Sequence, residues 1–249
     1  MFDLVMFDLD GTLVETAPEI TDAVNDLLRE QGLPDVGEGL IANWIGYGTR
    51  ELMTQAYAHA AQIHVDTVRR TGTMDKLMPR FSHFYMLRCG TRSRLYPQVL
   101  DTLRALRQAR VHMAVVTNKE QRYTAAVLMA HQIRHFFDLV IAGDTLTAKK
   151  PDALPVRHCL DVLKVAPTRA LFVGDSQIDV DTARAAGVPI WAVPYGYNLG
   201  NPIAQAEPDR IIPTMKTNSL PRLRTDRLRL DARLYGKARI LESMYLASS

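Results

Sequence analysis

Four acidic side chains of this 249-residue chain have the type and placement for shared chemistry: Asp8 and Asp10 near its start, Asp175 and Asp179 far along it. Asp8 and Asp10 stand two apart, so an extended backbone puts both carboxylates on one side, and Gly11 lets the chain turn sharply beyond them. Two carboxylates about 4 Å apart repel by about 4 kcal/mol at an effective dielectric near 20, so such a set calls for a cation in its midst. All-oxygen donors with no His or Cys nearby in sequence favour a hard ion. Few carboxylates completed by water and a substrate phosphate favour Mg²⁺ over a caged Ca²⁺. Thr117-Asn118-Lys119 and Lys150, which precedes Pro151, add hydroxyl, amide and ammonium groups. Each feature has a plain reading when taken singly: an Asp or a Thr-Asn pair as a turn, Gly174-Asp175 as a helix cap, Lys150 as a solvated surface lysine. Their joint occurrence, each at or just beyond the end of a predicted strand, is what points to catalysis.

Those strand ends imply particular elements. Short apolar runs at residues 2–7, 111–116, 139–142, 170–173 and 190–193 read as buried parallel strands. Helical patterns lie between them, including 97–109 with Leu100, Leu103 and Leu106, and 178–186 ending at Gly187. Alternating strand and helix predicts an α/β layered sheet, whose reactive groups gather at the carboxyl ends of the strands. Pro189 cannot donate to a ladder, so the fifth strand, or its start, is expected at a sheet edge. From about Thr16 to about Met86 the periodicity is helical without a convincing strand, with Thr16 a candidate cap, Pro18 near a helix start, and Gly32 and Pro34 at its end. The core is therefore expected to be discontinuous, residues 1–15 and 87–221, with residues 16–86 as a helical insertion.

Composition narrows the class. With 47% hydrophobic and 23% charged residues the chain reads as globular, not disordered. Cys89 and Cys159 form no CxxC pair or disulfide framework. No apolar stretch is long enough to span a bilayer, and no basic leader precedes the first apolar run, so a cytoplasmic protein is expected. Residues 222–249 hold seven Lys/Arg against three Asp/Glu, leaving the rest of the chain almost neutral. Neither a nucleic-acid nor a membrane partner is expected of that neutral body. Leu223, Leu230, Leu234, Leu241 and Tyr245 mark one face of a basic amphipathic extension over 222–249.

The segments around these residues read FDLDGT at 7–12, VVTNK at 115–119, KKPDALP at 149–155 and FVGDSQIDVDTARAAG at 172–187. In these four motifs the chain resembles the haloacid dehalogenase superfamily of aspartyl phosphohydrolases. DLDGTLVETAP at the start, WIGYG at 44–48, LYPQV at 95–99 and YGYNLGNPI at 195–203 resemble its bacterial phosphoglycolate phosphatases, the likeness covering about residues 1–221. The resemblance implies a three-layer, Rossmann-like parallel-sheet core with an inserted helical cap. It implies a phosphomonoesterase in which Asp8 is the nucleophile and Asp10 the general acid and base, a residue that the halide-releasing members lack. Mg²⁺ would be held by Asp8, the Asp10 carbonyl and Asp175, with Asp179 in support, and Thr117, Asn118 and Lys150 would bind the transferring phosphoryl group. Where Gln98 and Arg110 stand here the family pattern has glycine, and where Asp152-Ala153 stand it has His-Pro.

The expected substrate is a small phosphate ester, 2-phosphoglycolate first. Alternatives are a sugar phosphate, N-acetylmuramic acid 6-phosphate or pyrophosphate, or a phosphatase-fold interaction protein docking through its C-terminal helix. A monomer or homodimer is expected. Gly46 and Gly48 read as a cap loop closing over the substrate, with Arg50 a candidate for its carboxylate. His131 and His135 have the i, i+4 spacing of metal ligands but lack a third partner, so their spacing is read as chance.

Overall fold

The computed structural model describes residues 2–216, so the basic extension at 222–249 lies outside the described residues. Chain order runs β1 (Leu4–Phe7), β2 (Val14–Glu15), α1 (Ala17–Glu30), α2 (Glu38–Ala42), α3 (Thr49–Ala60), α4 (Val65–Arg70) and α5 (Thr73–Arg88). It continues through β3 (Arg94–Leu95), α6 (Val99–Gln108), β4 (His112–Val116), α7 (Gln121–Ala130), β5 (Leu139–Ile141) and α8 (Leu154–Leu163). The last elements are β6 (Ala170–Gly174), α9 (Gln177–Ala186), β7 (Ile190–Ala192) and β8 (Arg210–Ile211).

The main sheet has the order β5-β4-β1-β6-β7-β8, and every pairing in it is parallel. Side chains alternate across it as a strand requires. Val5 and Phe7 join the layer that also holds Leu103 and Leu106 of α6 and Val127 and Leu128 of α7. Leu4 and Met6 join the opposite layer, with Val156 of α8 and Val180 and Ala183 of α9. Both faces are covered, which is why the strands read as continuous apolar runs. The fold is a three-layer α/β sandwich carrying a helical insertion, and no described helix is long and apolar enough to cross a membrane.

The chain leaves β1 in one direction to β4 and β5 and returns to β6 on its other side, so β1 marks the switch point where α/β folds form ligand crevices. Proline at 189 does not place the fifth core strand at the edge: β7 lies between β6 and β8. The ladder there uses the Pro189 carbonyl, which accepts from Phe172 N at 2.9 Å, so the missing N–H costs no pairing.

In the insertion, Ile20, Val24, Leu27 and Leu28 of α1 repeat at helical spacing and pack with Leu52 and Met53 of α3 and Leu77, Phe81 and Tyr85 of α5. Each such buried side chain contributes about 1.5–3 kcal/mol. The two chain crossings between insertion and sheet are tied together by the antiparallel β2–β3 pair, Val14 with Leu95 and Glu15 with Arg94. Two-residue strands leave too little periodicity to be seen in sequence. The buried Glu19 of α1 reinforces the crossing, its Oε2 accepting from Gly90 N at 2.8 Å and Ser93 N at 3.1 Å.

Thr16 precedes α1 but does not cap it with its side chain. The Tyr197 hydroxyl instead accepts from Thr16 N at 2.8 Å and Ala17 N at 2.9 Å. That leaves the Thr16 hydroxyl free to donate to Asp10 Oδ1 at 2.7 Å.

Candidate active site

The ends of β1, β4 and β6 and the loop after β5 converge on one buried polar cluster. Asp8 follows β1, its amide donating to Val173 O at 3.0 Å, so its side chain emerges beside β6. Lys150 Nζ lies 2.7 Å from Asp8 Oδ1 and 2.6 Å from Asp179 Oδ1. Asp179 opens α9 in a capping box with Ser176, its Oδ2 accepting from Asp175 N and Ser176 N, each at 3.1 Å, and from Ser176 Oγ at 2.8 Å. Asp175 accepts from Thr12 Oγ1 at 2.8 Å and from Tyr197 N at 2.7 Å. Gly11, at φ +88°, and Gly196 press against this carboxylate, and a Cβ on either would overlap Asp175 Oδ2. No larger residue fits either position.

Oxygens of Asp8, Asp175 and Asp179 lie within 4.8 Å of one another. Burial pushes the Asp8 carboxyl up to about 7, the Lys150 charge opposing and the Asp179 charge adding to the rise. Burial likewise raises Asp175, with the charges of Asp179 and Asp8 behind it. Burial works against the Lys150 ammonium, but Asp179 and Asp8 outweigh it and hold its pKa above the ordinary lysine range. With all three carboxyls ionised, one ammonium would leave two negative charges uncompensated, the charge of one divalent cation. All donors are hard oxygens, so the residues present fit such an ion.

Asp10 turns the other way. Both its oxygens accept from Lys119 Nζ, at 2.8 and 2.7 Å, and Thr16 holds Oδ1 as well. Lys119 is buried with its ammonium 5.1 Å from the centroid of the Tyr85 ring, and Asp10 keeps it charged against the pull of burial. The sequence marks Lys119 at the strand end but not its partner, and gives Thr12 and Tyr197 no role. Their only signal was membership in FDLDGT, VVTNK and YGYN.

Asp8, Asp10, Thr117, Asn118, Lys119, Lys150 and Asp175 line one cavity of about 30 Å³. Asp179 lies behind it, completely buried. The roof comes from the insertion: Ile20, Ile45, Gly46, Gly48, Thr49 and Leu52. Three hydrogen bonds latch the roof loop to the core. Asn118 Nδ2 donates to Gly46 O at 2.9 Å, Lys149 Nζ to Tyr47 O at 2.6 Å, and Thr49 Oγ1 to Glu120 Oε1 at 2.6 Å. The space left between floor and roof is narrow, on the scale of a water-sized group.

Arg50, by contrast, lies outside the cavity, paired with Asp75 at 2.9 Å with both side chains exposed. His131 and His135 do not share a helix face: His131 follows α7 and its Nε2 meets Ser93 Oγ at 2.9 Å, while His135 lies in the next 3-10 turn.

A family model described as haloacid dehalogenase-like hydrolase matches residues 5–193. The chain is 39% identical over 216 residues to phosphoglycolate phosphatase 1 of Pseudomonas aeruginosa, covering 86% of this chain and 77% of that protein. It is 36% identical over 211 residues to the phosphoglycolate phosphatase of Nitrosospira multiformis, covering 85% of this chain and 91% of that one. Among solved structures, a predicted phosphoglycolate phosphatase from Haemophilus somnus matches with a TM-score of 0.79 at 34% identity, covering 86% of this chain and 95% of that one.

Proposed function

The chain belongs to the haloacid dehalogenase-like hydrolase family, and from that membership we propose that it hydrolyses 2-phosphoglycolate to glycolate and phosphate through an aspartyl-phosphate on Asp8, with Mg²⁺ as cofactor. It is a phosphoric monoester hydrolase. The observation that carries the finer reading is the placement of Asp8: a buried carboxylate at the end of β1, 2.7 Å from Lys150, facing a small cavity that Asp10 also lines.

Asp8 Oδ attacks phosphorus, the P–O bond to the ester oxygen breaks, and the departing alkoxide takes a proton from Asp10. A water then gives its proton to Asp10 and its oxygen to phosphorus, and the Asp8–phosphorus bond breaks. An alkoxide leaves poorly without that proton, so the second aspartate is required for an ester where a halide would need none. Thr117, the Asn118 amide and Lys150 hold the transferring group and balance its charge. Asp8, Asp175 and the Asp10 carbonyl, with Asp179 in support, would hold Mg²⁺, which would supply positive charge to the phosphoryl oxygens. The same proposal takes residues 1–15 and 87–221 as the catalytic core and 16–86 as a cap that opens to admit substrate and shuts out water.

The test is phosphate release by the purified protein from 2-phosphoglycolate, glucose 6-phosphate, N-acetylmuramic acid 6-phosphate and pyrophosphate, with and without Mg²⁺. The proposal expects turnover only with the ion and the highest kcat/KM for 2-phosphoglycolate. Faster turnover of the bulkier compounds would overturn the substrate assignment.

A further inference from the structure

The cavity presents two ammonium groups, and their commitments differ. Lys150 is held between Asp8 and Asp179 and belongs to the phosphoryl end. Lys119 touches neither; among the described residues its ion-pair partner is Asp10, which takes two of its three N–H donors at 2.8 and 2.7 Å. The roof adds no charge, since Ile20, Ile45, Leu52 and Thr49 line it with two glycines. Arg50, the nearest sequence candidate for a second anionic group, is exposed on Asp75. A substrate with a negative charge beyond its phosphoryl group therefore meets one cation not already committed to the phosphoryl end.

We propose that Lys119 is the specificity-determining residue of this site, receiving the carboxylate of a small phosphorylated carboxylic acid in exchange for Asp10. The inference rests on the substrate class argued above and names the group that reads it. The side chain of Lys119 is 2% exposed, so its charge is desolvated and an incoming anion meets it without competition from bulk water. Its placement over the Tyr85 ring fixes the ammonium from the cap side. The exchange matches like with like: one carboxylate leaves the ammonium as another arrives, and the released Asp10 side chain can turn towards the ester oxygen. An ester with no second anion offers no exchange and leaves Asp10 on Lys119, so discrimination falls on kcat as well as KM.

The experiment compares kcat/KM for 2-phosphoglycolate and for ethyl phosphate, which has a methyl group in place of the carboxylate, in the wild type, Lys119→Met, Lys119→Arg and Arg50→Ala. The expected result is a wild-type preference for 2-phosphoglycolate that falls about 10²-fold in Lys119→Met, is partly kept by the cationic Lys119→Arg, and is unchanged in Arg50→Ala. If the methionine variant does not fold, as judged by circular dichroism, Lys119→Gln replaces it. A Lys119→Met or Lys119→Gln protein that keeps the wild-type preference, or an Arg50→Ala protein that loses it, overturns the role of Lys119 and leaves the substrate assignment standing. A wild type with no preference overturns the substrate assignment, and the role of Lys119 with it.

Discussion

The floor and the roof of the cavity are built on opposite principles. The floor, at the strand ends of the core, is charged and buried, and most of its groups are fixed more than once: Lys150 by Asp8 and Asp179, Asp175 by Thr12 and Tyr197, Asp10 by Lys119 and Thr16. The roof is uncharged, carried by α1, the start of α3 and the loop before it, and that loop region is held to the core by three hydrogen bonds, two of them to backbone carbonyls. On the proposed reaction the floor would be preorganised for developing charge, and the roof, with its few contacts, would be the part able to open. Changes in the floor should strike kcat; changes in the roof should strike KM and access.

The sharpest way to break this contrast is Asp8→Asn, which should nearly abolish turnover while far-UV circular dichroism stays that of the wild type; ordinary activity would place the chemistry elsewhere. Asp10→Asn should lower kcat about 10²- to 10⁴-fold, measured in steady state, as expected for loss of a general acid and base. Gly196→Ala should come next, because its new methyl group must displace the Asp175 carboxylate. The readouts are kcat and the Mg²⁺ concentration for half-maximal activity, which should rise.

A fourth expectation concerns charge in the floor without its cation. Asp8 is held at about 7 by burial, and Asp175 is raised too, both above the range of an unfolded chain. A raised carboxyl stabilises the fold fully below the unfolded pKa and loses that contribution as pH rises through the folded one. The metal-free protein should therefore lose thermal stability from about pH 4 to about pH 7, less steeply in Asp8→Asn. Added Mg²⁺ should raise the melting temperature more at pH 8 than at pH 5. A Mg²⁺ effect of equal size at both pH values would contradict the assigned cluster. The smallest effect belongs to the roof: Thr49→Val removes one latch hydrogen bond, about 1 kcal/mol, so the closed form opens more readily and KM should shift by no more than about fivefold with kcat nearly unchanged.

The same division explains what the sequence discloses. The floor is legible because Asp8 and Asp175 each follow directly on an apolar run that is buried on both faces, 4–7 and 170–174. The sheet order is not legible, since Pro189 suggests an edge that the later two-residue strand β8 takes instead. Pairings across long sequence separations, such as Lys119 with Asp10 or Tyr197 with the start of α1, leave no local pattern. Gln98 and Arg110 stand where the family pattern has glycine, and the structure supplies the physical reason: φ is 69° at one and 56° at the other, a conformation that glycine adopts without strain. For the roof, the sequence marks the Gly46–Gly48 loop but not which side chains complete it, and Arg50, the conspicuous charge beside that loop, points away.

The central claim is that Asp8 forms a covalent bond to the substrate's phosphorus, and it can be read directly. Protein quenched in acid early in turnover of 2-phosphoglycolate with Mg²⁺, then reduced with borohydride and digested, should yield a peptide in which position 8 has become homoserine, the reduction product of an aspartyl-phosphate. If position 8 remains aspartate throughout turnover, or if the phosphoryl group is found on another residue, the account of this site is wrong.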